Sequence, residues 1–169
     1  RGAALIAGPP GIGKTWLLGE YLGQAAAAGI AVYRGFCESY LGARPLQPFV
    51  QLAQSIIVAN DGSIPSSIVA LAGADISAAH EPRQIARAMS ALIDAAALGP
   101  CVLAIDDWQW ADGASRKLLD ALLPALGARV RVLLVSRDAE LRFESLPPSE
   151  TIFLAPLCDD EARTAAASL

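Results

Sequence analysis

The sequence predicts an α/β fold, in which helices cover both faces of a parallel β-sheet. Short apolar runs alternate along the chain with longer amphipathic segments, which is the order of strands and helices in such folds. The apolar runs contain almost no polar residues, as is typical of parallel strands that are buried on both faces. Right-handed crossovers then place helices on both faces of the sheet and give three layers.

The first half of the chain predicts two strands and two helices. An apolar run at residues 3–7 predicts the first strand, and the helix after it ends near Gly29. Four apolar residues of that helix recur at the spacing i, i+3, i+4 and i+7: Leu18, Tyr21, Leu22 and Ala25. The second strand is expected at residues 30–36, and Pro48 introduces a second helix. Its apolar face consists of Phe49, Leu52, Ala53 and Ile56.

The second half predicts three more strands, with a helix before each of the first two. Residues 60–79 carry no clear pattern, and an amphipathic helix follows at 81–97. A second helix is expected at 115–123, where Pro124 ends or kinks it. The strands are expected at 101–105, 130–135 and 151–154. A final helix is expected to begin at Asp159.

Composition and charge exclude several classes of protein. The chain of 169 residues is 54% hydrophobic and 18% charged, whereas disordered chains combine low hydrophobicity with high net charge. No apolar run reaches the ~20 residues of a membrane span, so no membrane contact is expected. The net charge of −4 argues against a nucleic-acid surface, which is usually basic. The lack of an initiator Met favours a segment of a longer protein.

The cysteines indicate a reducing compartment. Cys37, Cys101 and Cys158 are far apart and have apolar neighbours, and no two of them have the spacing of a zinc motif. His80 is the only histidine, which also argues against zinc. We expect three reduced, buried thiols and a cytoplasmic protein.

The turn after the first strand carries the strongest functional signal. Its sequence GPPGIGKT matches the phosphate-binding pattern G-x-x-x-x-G-K-[ST] and lies between a predicted strand and a predicted helix. The matching residues are Gly8, Pro9, Pro10, Gly11, Ile12, Gly13, Lys14 and Thr15. Backbone N–H groups and the positive end of a helix that begins at Gly13 are expected to bind phosphate. We expect Lys14 to reach the β- and γ-phosphates, Thr15 to ligate Mg²⁺, and Trp16 to contact the nucleotide.

A phosphate loop of this kind needs an acidic partner near the metal. Asp106 ends the apolar run Val102–Ile105, so we expect it beside the nucleotide as a second Mg²⁺ ligand. Asp107 is the candidate general base for hydrolysis, and a solvated loop acid is the alternative. Because Asp is one methylene shorter than the Glu that motor ATPases use at this position, slow hydrolysis is expected.

Polar residues at the end of the fourth strand are the next candidates. Ser136 and Arg137 follow the apolar run 132–135, and we expect Arg137 to make a charge-assisted contact with the γ-phosphate. A surface pair of Arg137 with Asp138 or Glu140 is the alternative. Two tryptophans in the loop after the acids are best explained as packing anchors, while Gln109 between them has the chemistry to contact phosphate or water. The two tryptophans are Trp108 and Trp110, and the candidate N-caps of the next helix are Asp112 and Ser115.

The heptad at residues 106–112, DDWQWAD, resembles the DD-x-[HQ]-WAD stretch of the large ATP-binding LuxR-type transcriptional regulators. These belong to the signal-transduction ATPases with numerous domains (STAND), which are related to AAA-type enzymes. The GPPGIGKT loop agrees with this resemblance, and four other features extend it over nearly the whole chain. These features are Arg34–Cys37, Pro48–Phe49, Ser136–Arg137 and Pro156–Leu157.

The resemblance implies a P-loop NTPase fold with strand order 5-1-4-3-2. It also implies a nucleotide-binding domain at residues 1–155, followed at 156–169 by the start of a helical lid that encloses adenine. The implied ligands are ATP, ADP and Mg²⁺, and the implied function is a slow ATP-hydrolysing switch with possible self-association in ATP. Winged-helix and sensor domains are implied outside these residues, so this domain is not expected to bind nucleic acid directly.

Three other functions remain open at the sequence level. A scaffold module would hold ATP or ADP without hydrolysing it, and Asp107 would then be idle. A small-molecule kinase would need an Arg-rich lid and an acceptor pocket, and residues 141–149 are short and carry one acid beside a single arginine. A AAA-type motor would need an arginine finger, and the candidates for one are Arg116, Arg129 and Arg131.

Overall fold

Five parallel strands form one sheet in the order β2-β3-β4-β1-β5. This order is the predicted 5-1-4-3-2 counted from the other edge. The structure, a computed structural model, describes residues 2–39, 44–60, 62–69, 81–137 and 150–156. The strands are β1 (Gly2–Ala7), β2 (Ala31–Phe36), β3 (Cys101–Asp106), β4 (Val130–Ser136) and β5 (Glu150–Phe153). The predicted α/β class is therefore confirmed.

Helices cover both faces of the sheet, as the apolar strands predict. They are α1 (Lys14–Ala27), α2 (Gln47–Ala59), α3 (Pro82–Ala96) and α4 (Gly113–Leu122). On one face, α1 packs Leu18 and Leu22 against Ile6, Ala104 and Val135. The other face holds the larger core, where α2, α3 and α4 bury residues such as Phe49, Met89 and Leu118 against the sheet. Consecutive residues of β1, Leu5 and Ile6, belong to opposite faces.

Three details differ from the prediction. The two outer strands of this sheet are less buried than expected: all four residues of β5 are exposed, and burial alternates in the second half of β2. Tyr21 was expected on the buried face of α1 but is 47% exposed. At ~100° per residue it lies about 60° from Leu18, at the margin of the apolar stripe. Helix α1 begins at Lys14, with Gly13 as its cap.

Asp112 is the N-cap of α4, as predicted. Its Oδ1 accepts hydrogen bonds from the N–H groups of Ala114 and Ser115 at 2.9 Å. Its Oδ2 accepts from the Ser115 hydroxyl at 2.6 Å and from the N–H of Leu46 at 3.2 Å. Because Leu46 caps α2, this one carboxylate joins the beginnings of two helices.

The sheet order brings the ends of β1, β3 and β4 together. Strand β4 lies between β1 and β3, and its last residue Ser136 is in register with Ala7, the last residue of β1. On its other side, Leu134 is in register with Ile105, which precedes Asp106. Residues that follow these three strands therefore meet at one edge of the sheet, where open α/β folds bind their ligands.

We predict that Asp112→Ala destabilises the fold by about 1–2 kcal/mol, because it removes the acceptor for the N–H groups at the start of α4. Asp112→Asn is the matched control and should lose less, because Asn is also a good cap. Urea unfolding of both variants checks this prediction. Equal losses in the two variants would contradict it.

The same carboxylate predicts a pH dependence. Burial alone raises the pKa of Asp112, but the hydrogen bonds donated by Ser115, Leu46 and Ala114 lower it below the ordinary 3.8. A lowered pKa stabilises the fold above the unfolded value, and this stabilisation is lost as the pH falls through the folded value. The stability difference between the parent and Asp112→Ala should therefore shrink from about pH 6 to about pH 3.

Candidate nucleotide-binding site

A glycine-rich loop joins β1 to α1. Gly11 and Gly13 have φ values of 77° and 97°, a left-handed conformation that side chains other than glycine rarely adopt. Gly8 is required for a different reason, because a Cβ there would lie 2.9 Å from the carbonyl oxygen of Leu154. The predicted loop residues thus have the backbone that a phosphate loop needs.

Lys14 reaches back across this loop. It is only 8% exposed, and its ammonium donates hydrogen bonds to the carbonyl oxygens of Gly8 and Pro9, both at 2.8 Å. Two of its three N–H donors are therefore used by the loop itself. The chain positions this cation over the turn where an anion would bind.

Asp106 is buried at the end of β3 and pairs with Arg34, for which the sequence predicted no role in the site. Its Oδ2 lies 2.9 Å from Nη2 of Arg34, and its Oδ1 accepts the N–H of Asp107 at 2.9 Å. The Asp106 side chain is 6% exposed, whereas that of Arg34 is 44% exposed. The signal in the sequence was a single charged residue within the otherwise uncharged β2 strand.

Asp107 has a left-handed backbone conformation, with φ at 55°. Residues other than glycine rarely adopt it, although Asp tolerates it better than most. Its Oδ1 accepts a hydrogen bond from Nε2 of Gln109 at 2.7 Å. The other end of the Gln109 side chain, Oε1, accepts the backbone N–H of Arg137 at 3.0 Å. The acid after β3 is thus linked to the end of β4.

The two tryptophans of the loop have different surroundings. Trp108 is buried and packs edge-on against Phe49, with ring centroids 6.4 Å apart, so it is the predicted packing anchor. Trp110 is 44% exposed, and the guanidinium carbon of Arg137 lies 5.7 Å from its ring centroid, within the range of a cation–π contact. The proposed surface partners of Arg137, Asp138 and Glu140, lie outside the described residues.

A cleft of about 350 Å³ brings most of the predicted residues together. It is lined by Pro10, Gly11, Gly13, Lys14, Thr15, Trp16, Asp107 and Arg137. Trp16 is 71% exposed, whereas Ser136 at the end of β4 is buried. Five predicted site residues are not part of the lining: Gly8, Pro9, Ile12, Asp106 and Ser136.

Two of the three thiols are buried in surroundings that disfavour the reactive thiolate. Burial raises the pKa of Cys37 to about 12, and the carboxylates of Asp112 and Asp107 add to the effect. Burial likewise raises the pKa of Cys101 to about 11, while Cys158 lies outside the described residues.

Among the residues that the structure describes, no three His, Cys, Asp or Glu side chains cluster as metal ligands. No helix in the same part of the chain combines the length and hydrophobicity that a transmembrane segment requires.

The sequence profile of the AAA ATPase domain family matches residues 1–135, and the chain belongs to this family. No curated protein matches the chain significantly.

Similar folds occur among solved structures. One is a DNA replication initiation factor, at 13% identity and a TM-score of 0.48, with 99% of this chain and 44% of that chain covered. The chain thus spans less than half of that protein. Another is the genome packaging NTPase B204 from Sulfolobus turreted icosahedral virus 2, solved with ATP-gammaS and with AMP. These structures are both 14% identical, have TM-scores of 0.46 and 0.48, and cover 98% and 99% of this chain and 81% of each NTPase chain.

We predict that Arg34→Gln destabilises the fold by about 1–3 kcal/mol, because it leaves the buried Asp106 carboxylate without its cation. Arg129→Gln is the matched control, because Arg129 pairs at 2.6 Å with Asp94, whose side chain is 54% exposed whereas that of Asp106 is buried. Exposed pairs contribute less than about 1 kcal/mol. Urea unfolding of both variants measures the difference. If the two variants lose the same stability, the Arg34–Asp106 pair has no special role.

Proposed function

We propose that this chain is an ATP-binding switch domain of a signalling or transcriptional regulator, and that it hydrolyses ATP slowly. The cleft is the observation that carries the proposal. One concave site combines a glycine-rich loop at a helix N-terminus with a lysine, a threonine hydroxyl, an acid and an arginine. This combination suits a triphosphate chemically, because it offers backbone donors, two cations and a candidate base.

The phosphate groups are the part of the ligand that this cleft fits best. Backbone N–H groups of residues 11–15 and the positive end of α1 would face the anion. The Lys14 ammonium would exchange its bonds with the Gly8 and Pro9 carbonyls for bonds with β- and γ-phosphate oxygens. Bonds between an ammonium and phosphate are charge-assisted and therefore stronger than those to neutral carbonyls.

The residues present also fit Mg²⁺. Thr15 offers a hydroxyl at the cleft, and Asp106 offers a buried carboxylate at the end of β3. Mg²⁺ prefers such oxygen ligands and usually takes only one or two from the protein, with phosphates and waters supplying the rest. When bound, the ion would neutralise charge on the β- and γ-phosphates. Arg34 would compete with the ion for Asp106, because its Nη2 donates a hydrogen bond to Oδ2 of that carboxylate.

Asp107 and Arg137 are the proposed hydrolytic residues. The Asp107 carboxylate would orient the attacking water and accept its proton, while Arg137 would stabilise charge on the γ-phosphate. Both line the cleft together with Lys14. The short side chain of Asp107 favours slow turnover.

Trp16 is the proposed contact of the nucleoside part. It follows the phosphate loop, lines the cleft and has an indole that is 71% exposed. A flat, exposed aromatic ring is suited to stacking against a ribose or a base. We propose that the implied lid at residues 156–169 completes this part of the site. Residues 157–169 lie outside the described residues.

The heptad 106–112 supports a regulatory role for the site. Its first two residues are the proposed metal ligand and base, Trp108 packs against Phe49 of α2, and Asp112 caps α4. Events at the γ-phosphate are therefore mechanically connected to two helices on one face of the sheet. We propose that ATP changes how this face contacts other domains or further copies of the chain, as in the LuxR-type STAND regulators that the heptad resembles.

A non-hydrolysing nucleotide scaffold is the second candidate function. It is favoured by the short side chain of Asp107, the one carboxylate among the described residues that line the cleft. Turnover distinguishes the two functions. The lid that a small-molecule kinase would need, at residues 141–149, falls outside the described residues.

We predict that Lys14→Ala abolishes tight binding of Mg-ATP. Each charge-assisted bond that the ammonium makes to phosphate contributes about 1.5–3 kcal/mol, and a loss of 1.4 kcal/mol weakens binding about tenfold. Calorimetric titration measures the dissociation constant. The chain's other lysine, Lys117, is exposed on α4, and Lys117→Ala is the matched control. Unchanged affinity in Lys14→Ala would refute the phosphate-loop assignment.

We predict that Asp107→Asn keeps Mg-ATP affinity but slows turnover about 10²–10⁴-fold, because Asn has nearly the same shape and cannot accept a proton. Single-turnover release of phosphate measures the rate. Asp94→Asn is the control, since Asp94 pairs with Arg129 outside the cleft. If Asp107→Asn turns over at the rate of the parent, Asp107 is not the base and the scaffold function gains support.

A further inference from the structure

The Gln109 side chain joins two proposed hydrolytic residues that come from different strands. Its Nε2 donates to Asp107 Oδ1 at 2.7 Å, and its Oε1 accepts the N–H of Arg137 at 3.0 Å. The chemistry of the partners fixes the orientation of the amide, because a carboxylate only accepts and a backbone N–H only donates. Both ends of this side chain are therefore used in one bridge across the edge of the sheet.

The backbone of Gln109 is itself held in place. It lies in the 3-10 turn Trp108–Trp110, whose first residue is buried against Phe49. Its carbonyl oxygen accepts a long hydrogen bond from Arg116 Nη2 at 3.4 Å, and Arg116 Nε donates to the carbonyl of Ala111 at 3.1 Å. The packing of Trp108 and the hydrogen bonds from Arg116 of α4 thus fix the backbone position of Gln109.

Two consecutive residues, Gln109 and Trp110, contact Arg137. Gln109 accepts its backbone N–H, and the Trp110 ring lies beneath its guanidinium. Asp107, by contrast, has a left-handed backbone that few residues other than glycine adopt, and Gln109 donates to its carboxylate. A displacement of Asp107 or of Arg137 would therefore distort a hydrogen bond of the Gln109 side-chain amide.

We infer that Gln109 is a positioning residue for hydrolysis: its amide bridges Asp107 and Arg137 and sets where the carboxylate meets the attacking water. This inference rests on the proposed function, because it assigns a role within that reaction. Gln109 does not touch the reacting atoms in this role. It orders the base relative to the end of β4, and a misplacement of about 1 Å in such a group costs up to about 10²-fold in rate.

Three substitutions separate the two halves of the bridge. Gln109→Met has a similar length and removes both bonds. Gln109→Glu keeps the acceptor for the Arg137 N–H but cannot donate to Asp107, whereas Gln109→Lys keeps a donor and lacks an acceptor. Gln24→Met is the matched control, because the Gln24 side chain donates to Glu20 on the exposed side of α1, outside the cleft.

Two measurements test the bridge, and one of them needs no nucleotide. Amide hydrogen exchange of Arg137 should be slow in the parent and in Gln109→Glu but faster in Gln109→Met and Gln109→Lys. Single-turnover ATP hydrolysis should fall about 10–100-fold in all three Gln109 variants, while calorimetric affinity for Mg-ADP stays within about twofold. Gln24→Met should match the parent in every measurement.

The turnover of the parent and of Asp107→Asn tests the proposed function independently of the Gln109 variants. If Asp107→Asn slows hydrolysis but Gln109→Met does not, the proposed function stands and the inference is overturned. Full activity in Gln109→Glu or in Gln109→Lys also overturns it, because one half of the bridge would then suffice. If the parent hydrolyses no ATP, the hydrolytic role fails with the proposed function. Equal Arg137 exchange in the parent and Gln109→Met would overturn the bridge itself.

Discussion

The parallel pairing of β4 with both β1 and β3 is the constraint on which the site depends. Strand β4 runs between the two, so Ser136 adjoins the end of β1 while Leu134 adjoins Ile105 of β3. Parallel strands end at the same edge, and the loops that leave them must meet there. Without β4 in the middle, Lys14, Asp107 and Arg137 would not line one cleft.

Hydrogen bonding to carboxylates is the second element that organises this edge. Each acid of the heptad has a specific donor. Asp106 has Arg34, Asp107 has Gln109, and Asp112 has the N–H groups of two helices. A buried carboxylate without such partners is costly, so these pairs permit three acids within seven residues. They also join the site to α2 and α4.

The sequence predicted the features that depend on local order. The loop motif lay between a predicted strand and a predicted helix, and an apolar run ended in Asp106. These two patterns were enough to place the loop and Asp106 at the ends of their strands. Bridging contacts could not be predicted in this way. The Arg34–Asp106 pair requires β2 to lie beside β3 in one particular register, and the Gln109–Arg137 bond requires β4 beside β3. Spacing within a segment carries no information about such neighbours. The exposure of Tyr21 was missed for a related reason. Periodicity shows which residues share the apolar face of a helix, but it does not show how much of that face the sheet covers.

We propose that the phosphates of a nucleotide bind between the β1–α1 loop and the ends of β3 and β4. Backbone amide resonances measured during titration with Mg-ATP test it most directly. We expect saturable shifts for Gly11, Gly13, Lys14, Thr15 and Arg137, and much smaller shifts with adenosine, which lacks phosphate. A separate hollow of about 410 Å³, lined by residues that include Ile85, Gly113 and Lys117, provides the contrast. Shifts confined to that hollow, or equal shifts with adenosine and Mg-ATP, would show that the phosphates do not bind at this loop.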